Sequence, residues 1–381
     1  MGSSKNNLSK LEFQSKPLQV IVRVIAVLAI LFFFLVSLNM MGGAFKLFGK
    51  ETAEKIINLT SNPFVGLFIG LLSTALVQSS STTTSMVVAI VASGTLPLQA
   101  AVPMIMGANI GTSVTSTFVS LGHVTDKLEF KKAFAAATVH DFFNILVTFV
   151  LFPLEVAFSF LSNTAVFITK TFHITGSGSG KKMFSIMGAT VKPTGKWIIS
   201  ILDKNPWIVL VVSMVMLFFA LRYLSVILKS LLIGKYQERL ERAIFGTPLK
   251  SIIWGAGVTA AVQSSSVTTS LTVPLVATDK ISLKKAFPFL LGANIGTTVT
   301  ALIAAISKND NAINVAFCHL LFNVIGVVLF MIIPPVRSIP VTLATKLGEM
   351  TLKNRLFGLA YILITFFVIP LLLIYFAGIE I

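Results

Sequence analysis

The sequence predicts an all-α integral membrane protein built from two inverted repeats, each holding a re-entrant hairpin and a broken transmembrane helix. Three observations lead there. Only 12% of the 381 residues are charged while 55% are hydrophobic, against about 25% charged in soluble domains. Apolar runs recur that reach the roughly 20 residues a helical span needs. A polar string, VQSSSTTTS at Val77–Ser85, returns as VQSSSVTTS at Val262–Ser270.

Residues 1–17 read as a polar N-terminal segment, and Lys5, Lys10 and Lys16 favour a cytosolic start. The apolar run that follows is too long for the core of a cleavable signal. Seven spans are predicted: Leu18–Met40, Leu96–Leu121, Ala133–Leu154, Pro206–Ile227, Phe287–Ile306, Ala312–Ile333 and Leu356–Phe376. They divide the chain into a first repeat over 18–170, a linker over 171–205 expected to be extracellular, a second repeat over 206–335, and a connecting segment with a C-terminal transmembrane helix over 336–381.

The repeat is direct to read. At a shift of 185, Gln78–Ser85 matches Gln263–Ser270 at seven of eight positions, and GANIGTSVTS (Gly107–Ser116) matches GANIGTTVTA (Gly292–Ala301) at eight of ten. Pro63 pairs with Pro248 and Gly70 with Gly255. Further on, HDFFN (His140–Asn144) meets HLLFN (His319–Asn323) at a shift of 179. Such self-similarity signals duplication. Three crossings in the first half would turn the second copy over, the arrangement secondary transporters place around a midplane site.

Pro63–Val77 holds 15 residues, about 22 Å of helix at ~1.5 Å per residue, too short for a hydrocarbon core of about 30 Å. Hairpins are therefore expected at about 63–93 and 248–277, their tips at Gln-Ser-Ser-Ser. The alternative is one continuous span with its serines bonded back to the helix. GANIGT allows two readings as well. Its glycines permit unwound backbone, or they let neighbouring helices approach closely. Asn109 and Asn294 favour the first, because a bare packing seam needs no carboxamide.

The net charge is +16. Its lysines and arginines lie mainly between spans, which fits membrane lipid head groups and not nucleic acid. One cysteine and four histidines give no disulfide framework and no zinc spacing. No serine, histidine and carboxylate stand at catalytic spacing, so an enzyme, such as a membrane hydrolase, is disfavoured and no cofactor is expected. Hydroxyls, amides and helix N-termini can hold an oxyanion; freed carbonyls with Asn and Thr oxygens suit sodium. Residue types alone do not choose the anion. Asp141 falls near the middle of its span, where a charge costs ~2.5–3.5 kcal/mol or more, and its counterpart is Leu320. With Asn144 one turn on, it reads as a cation ligand, or else as a partner for His140. His140 and His319 read first as interhelical hydrogen-bond donors.

These residues resemble one family closely. The paired QSSS cassettes, the paired GANIGT segments, EFKKAFAAATVHDFFN (Glu129–Asn144) and CHLLFNVIG (Cys318–Gly326) are similar to the type II sodium-dependent phosphate cotransporters in their shorter bacterial form. The resemblance runs from about Leu18 to Ile374. It implies symport of sodium and inorganic phosphate by alternating access across the inner (plasma) membrane. It assigns phosphate to Gln78, Ser79, Ser80, Ser81, Gln263, Ser264, Ser265 and Ser266. For sodium it points to Asp141, Asn144, Thr297 and Thr300; the repeat extends the set to Asn109, Thr112, Asn294 and Asn323, and Asp126 is a secondary candidate whose plain reading is a solvated loop charge. Keeping the aspartate of HDFFN implies electrogenic transport. The family's large disulfide-bonded loop is absent from 171–205. The family keeps both termini in the cytosol, whereas seven spans put them on opposite sides; either Val156–Ile174 crosses or one span is wrong. A sodium-coupled carboxylate transporter and an anion channel are the alternative functions.

Overall fold

The computed structural model describes residues 16–48, 58, 60–175, 185–232, 244–306 and 308–379. Most of the N-terminal segment, with Lys5 and Lys10, and the GSGSG of the linker lie outside them. The described residues are helical throughout, with no strand among them.

Helix α1 (Lys16–Leu47) is followed by α2 (Pro63–Val77), α3 (Ser80–Ser93), α4 (Leu98–Gly111), the short α5 (Val114–Ser120), and α6 (Lys127–Phe158). Helix α7 (Phe160–Thr171) completes the first half. The second half holds α9 (Pro206–Leu232), α10 (Pro248–Val262), α11 (Ser265–Ala277), α12 (Leu283–Ala305), α13 (Asp310–Ile332) and α14 (Pro334–Lys353). A final span is built from α15 (Leu356–Leu363), a π turn at Ile364–Val368 and α16 (Ile369–Ile379). The linker is not a plain loop: it contains α8 (Ser185–Ile201), which packs on α1 where Gly195 sits against Asn39. Helix α7, at 12 residues, reaches about 18 Å and is too short to span a bilayer alone; Ser159, left-handed at φ 49°, separates it from α6.

Among the described residues five helices are long and apolar enough to cross a membrane, and five of the seven predicted spans fall on them; the predicted span Leu96–Leu121 is divided between α4 and α5. The outward faces of the five, with that of α7, carry large apolar side chains such as Phe149, Phe167, Ile332 and Leu371, a belt that water would not tolerate and lipid requires.

The two halves fold alike for stated reasons. Asn62 caps α2 by accepting from the Phe64 N–H, with Pro63 at the first helical position; Thr247 caps α10 through the Lys250 N–H, with Pro248 next. A proline there loses no helical hydrogen bond. Each helix then docks on the GANIGT helix of its own half through glycines. A Cβ on Gly107 would stand 1.8 Å from the Leu67 carbonyl oxygen, and one on Gly292 2.0 Å from that of Ile252. On the facing helices, a Cβ on Gly70 would meet the Met104 carbonyl oxygen at 2.0 Å, and one on Gly255 the Phe289 oxygen at 2.1 Å. Every one of these pairs is related by the shift of 185 read in the sequence.

This geometry corrects one expectation. The second GANIGT helix, α12, runs unbroken from Leu283 to Ala305. The first is interrupted only locally, where the Thr112 N–H turns to the Asn109 oxygen; Thr112 and Ser113 keep right-handed helical angles. The glycines serve close helix approach, and the helix hydrogen bonds survive around them. Packing against a carbonyl needs a missing Cβ, not an unwound backbone.

Candidate functional site

The hairpins are present as two helices each, and their turns match. Gln78 (φ 55°, ψ 30°) ends α2 in the left-handed region, and Gln263 (φ 56°, ψ 27°) ends α10 the same way. A non-glycine residue there costs about 1–2 kcal/mol, and both copies keep the same one. Ser79 and Ser264 then turn extended and cap the next helix, accepting from the Thr82 and Val267 N–H groups. These two hydroxyls are spent on local structure. Ser80, Ser81 and Ser265 are buried in the first turns of α3 and α11, where backbone N–H groups have no intrahelical partner; Ser266 is half-buried.

The tips meet. Ser81 Oγ donates to the Gln263 carbonyl at 3.2 Å, 182 residues away. The Gln78 carbonyl accepts from Thr115 Oγ1 at 3.5 Å. Gln78 is exposed, whereas Gln263 is buried with an unpartnered Oε1.

Beneath the tips, four asparagines and two histidines form a crossed network. His140 donates from Nε2 to Asn294 Oδ1, and Asn294 Nδ2 donates to Asn144 Oδ1 at 2.8 Å. In the mirrored set, His319 Nε2 and Asn323 Nδ2 reach Asn109 Oδ1 at 3.3 and 3.2 Å. Each histidine–asparagine pair of one half therefore holds the GANIGT asparagine of the other half. Asn144 Nδ2 closes the set on the Asn109 carbonyl at 2.7 Å. The sequence placed the histidines as interhelical donors, and that is what their Nε2 atoms are.

Thr112 and Thr297 occupy equivalent places, each hydroxyl donating back to the carbonyl four residues earlier. Thr300 is buried and its hydroxyl has no partner. Asp141 is fully buried; Oδ2 accepts from the Tyr361 hydroxyl at 3.1 Å, and Oδ1 makes no hydrogen bond of normal geometry although the Ser113 hydroxyl lies near the carboxyl. Asp141 thus shares a helix with Asn144 but not a partner. Tyr361 was not legible as a site residue. It arrives from the last span, three residues before the π turn, with its ring edge-on to Phe134 at 6.1 Å and Phe366 at 6.2 Å. Asp126 stands apart. Its Oδ1 caps α6, accepting from Leu128 and Glu129 N–H, and these bonds hold its carboxyl below the usual range.

Buried polar atoms are nearly always hydrogen-bonded. Among the described residues, buried side-chain atoms without a partner include acceptors on Asp141, Gln263, Thr300 and Asn323, alongside Nδ1 of His140 and His319 and the hydroxyls of Thr74, Ser85, Thr148 and Thr259.

Fold and site together define a multi-pass membrane protein with a duplicated helical unit enclosing a polar interior. The chain belongs to the Na+/Pi-cotransporter family, whose model matches residues 33–171 and 216–362. It is 35% identical over 452 aligned residues to sodium-dependent phosphate transport protein 2B of Homo sapiens and of Pongo abelii, covering 93% of this chain and 65% of theirs. It is 34% identical to sodium-dependent phosphate transport protein 2A of Ovis aries, covering 92% of this chain and 67% of that one. This chain therefore spans just under two thirds of the 2B relatives. No solved structure matches it.

Proposed function

We propose that this chain is a plasma-membrane symporter that couples sodium entry to uptake of inorganic phosphate by alternating access, with no catalytic step. One observation carries the reading: the two QSSS tips touch through Ser81 and the Gln263 carbonyl. That contact brings two helix N-termini from different halves to one place. Converging N–H groups and hydroxyls favour an anion without a lysine in the lipid-embedded interior. The names of the relatives, sodium-dependent phosphate transport proteins, select phosphate among the oxyanions such a cradle could take. Gln78, Ser80, Ser81, Gln263, Ser265 and Ser266 would bind it, with Ser79 and Ser264 shaping the turns.

Sodium would take the unspent oxygens of Asp141, Thr300 and Asn323, with Asn109, Asn144, Asn294, Thr112 and Thr297 arranged about them. Asp141 supplies the charge that makes transport electrogenic.

The inversion of the repeats has support in how the ends join. Asn309, after α12, donates to the Ala92 carbonyl near the end of α3, and Lys308 to the Leu38 carbonyl of α1. The end of α11 is tied instead to the start of α6, through Asp279 and Lys132 at 2.5 Å. So α4 and α5 run away from the α3 end toward α6, while α12 runs from the α11 end back toward α3. Equivalent helices traverse the molecule in opposite senses.

Uptake of radiolabelled phosphate into proteoliposomes, with and without an inward sodium gradient, tests the proposal. Uptake that requires sodium is expected; sodium-independent uptake, or uptake of succinate in place of phosphate, would refute it.

A further inference from the structure

A cavity lies outside the asparagine network, at the far end of α3 from the serine cassette. It has a volume of about 260 Å³ and is lined by Lys46, Lys196 and Lys308 together with Asn39 and Ser93. Gly42, Gly43, Ala89 and Ala92 form its small-residue walls. Four elements converge on it: the end of α1, the last turn of α3, helix α8, and the α12–α13 connection. That connection is strapped down by the Lys308 and Asn309 bonds to α1 and α3. Three lysines from three separate segments line one small space. Among the described residues none of the ion pairs involves them. At the opposite end of the molecule two lysines are paired, Lys131 at 3.4 Å from Glu349 and Lys132 with Asp279.

We propose that this cavity is a second anion site, which takes a phosphate-type oxyanion, either a free ion or the phosphoryl head group of an anionic lipid. Like charges held together disfavour one another unless a counter-charge joins them. Lys308 is half-buried in the connection between spans, whereas Lys46 and Lys196 are exposed. Burial, with Lys192 and Lys46 beside it, lowers its pKa to about 8. A bound dianion would offset that repulsion. The small volume suits a single oxyanion, since organic ligands occupy pockets of about 300–1,000 Å³. Positive potential focused in a cleft also raises the local concentration of anions. Because the last turn of α3 forms one wall while its first turn carries Ser80 and Ser81, an anion held here rests on the same helix as the proposed transport site, about 20 Å away along its axis.

The inference goes beyond the transport reading, and its test needs no transport. Full-length protein in phosphatidylcholine nanodiscs is treated with an amine-acylating reagent, and the rate at each lysine is read by peptide mass spectrometry. Inorganic phosphate should slow acylation of Lys196 and Lys308 several-fold and leave the exposed Lys353 unchanged. Slowing by phosphate in these discs assigns a free oxyanion. Slowing that appears only when phosphatidylglycerol is included, without phosphate, assigns a lipid head group. No slowing in either case, or equal slowing at Lys353, would overturn the proposal. In the Lys308→Gln variant the protection of Lys196 should disappear; protection that persists would also overturn it. The wild-type measurement stands alone if that variant does not fold.

Discussion

Replacing Gly107 by alanine sets two effects of known size against each other. Alanine is about 1 kcal/mol better than glycine inside a helix. Yet a Cβ on Gly107 would sit 1.8 Å from the Leu67 carbonyl oxygen and 2.8 Å from the Leu71 nitrogen. Both obstacles are backbone, so no side-chain rotation relieves them, and α2 and α4 must part by about 1 Å. Overpacking of that kind costs about 1–3 kcal/mol, occasionally more, and the weaker van der Waals attraction along the parted seam adds to it. The steric cost wins, and Gly107→Ala is expected to lower the thermal transition of detergent-solubilised protein by several degrees. Gly292→Ala should behave alike, because its Cβ would meet the Ile252 oxygen at 2.0 Å. Gly257, in α10, has nothing within 4 Å of its Cβ position, so Gly257→Ala should be neutral or stabilising. The assay is fluorescence-detected size-exclusion chromatography after heating. If Gly107→Ala and Gly257→Ala shift the transition equally, or Gly107→Ala raises it, the glycine-seam reasoning is wrong.

Three further outcomes are expected. Asp141→Asn keeps the shape but removes the charge, whose Oδ1 makes no hydrogen bond of normal geometry. It should raise the sodium concentration for half-maximal uptake about tenfold or more, equivalent to ~1.4 kcal/mol, and abolish charge movement per phosphate in proteoliposome current recordings. Gln263→Gly frees a left-handed position from a side chain and should leave thermal stability equal or higher. Uptake should nevertheless fall sharply, separating the strain of Gln263 from its role. Lys308→Met should melt higher than wild type at pH 7. The pKa of Lys308 falls from 10.5 to about 8 in the folded protein. Between those values the unfolded chain binds more protons, so wild-type stability rises with pH across that window. The gap between the two proteins should therefore narrow as pH climbs from about 8 towards 10.5, as thermal scans at stepped pH would show.

Five of the seven predicted spans, the duplication and both hairpin breaks were legible because each rests on local chemistry: apolar length, a repeated string, and helices too short to cross. Gln78 and Gln263 announced themselves as turns by recurring before three serines. The asparagine set was legible in part. Asn109 and Asn294 stood out as carboxamides in a glycine seam, and Asn144 and Asn323 recurred in register. That each pair crosses to the other half was not readable, since it depends on how the halves nest. GANIGT itself misled. Two glycines around an asparagine permit unwinding, but the decisive fact, a carbonyl lying where a Cβ would be, belongs to another helix. Tyr361 was invisible for the same reason: 220 residues separate it from Asp141. The cavity at Lys46, Lys196 and Lys308 joins three segments with no common motif, so charge counting alone assigned those lysines to lipid.

The most direct test joins the two tips covalently. In a Cys318→Ala background, cysteines replace Ser81 and Gln263, residues whose hydroxyl and backbone carbonyl stand 3.2 Å apart, and a short flexible bis-maleimide bridges them. Cross-linking should give an intramolecular product detectable by mass spectrometry in the double variant, and none when either cysteine is present alone. A pair that is never joined, although each cysteine is labelled singly, would contradict the claim that the two tips meet.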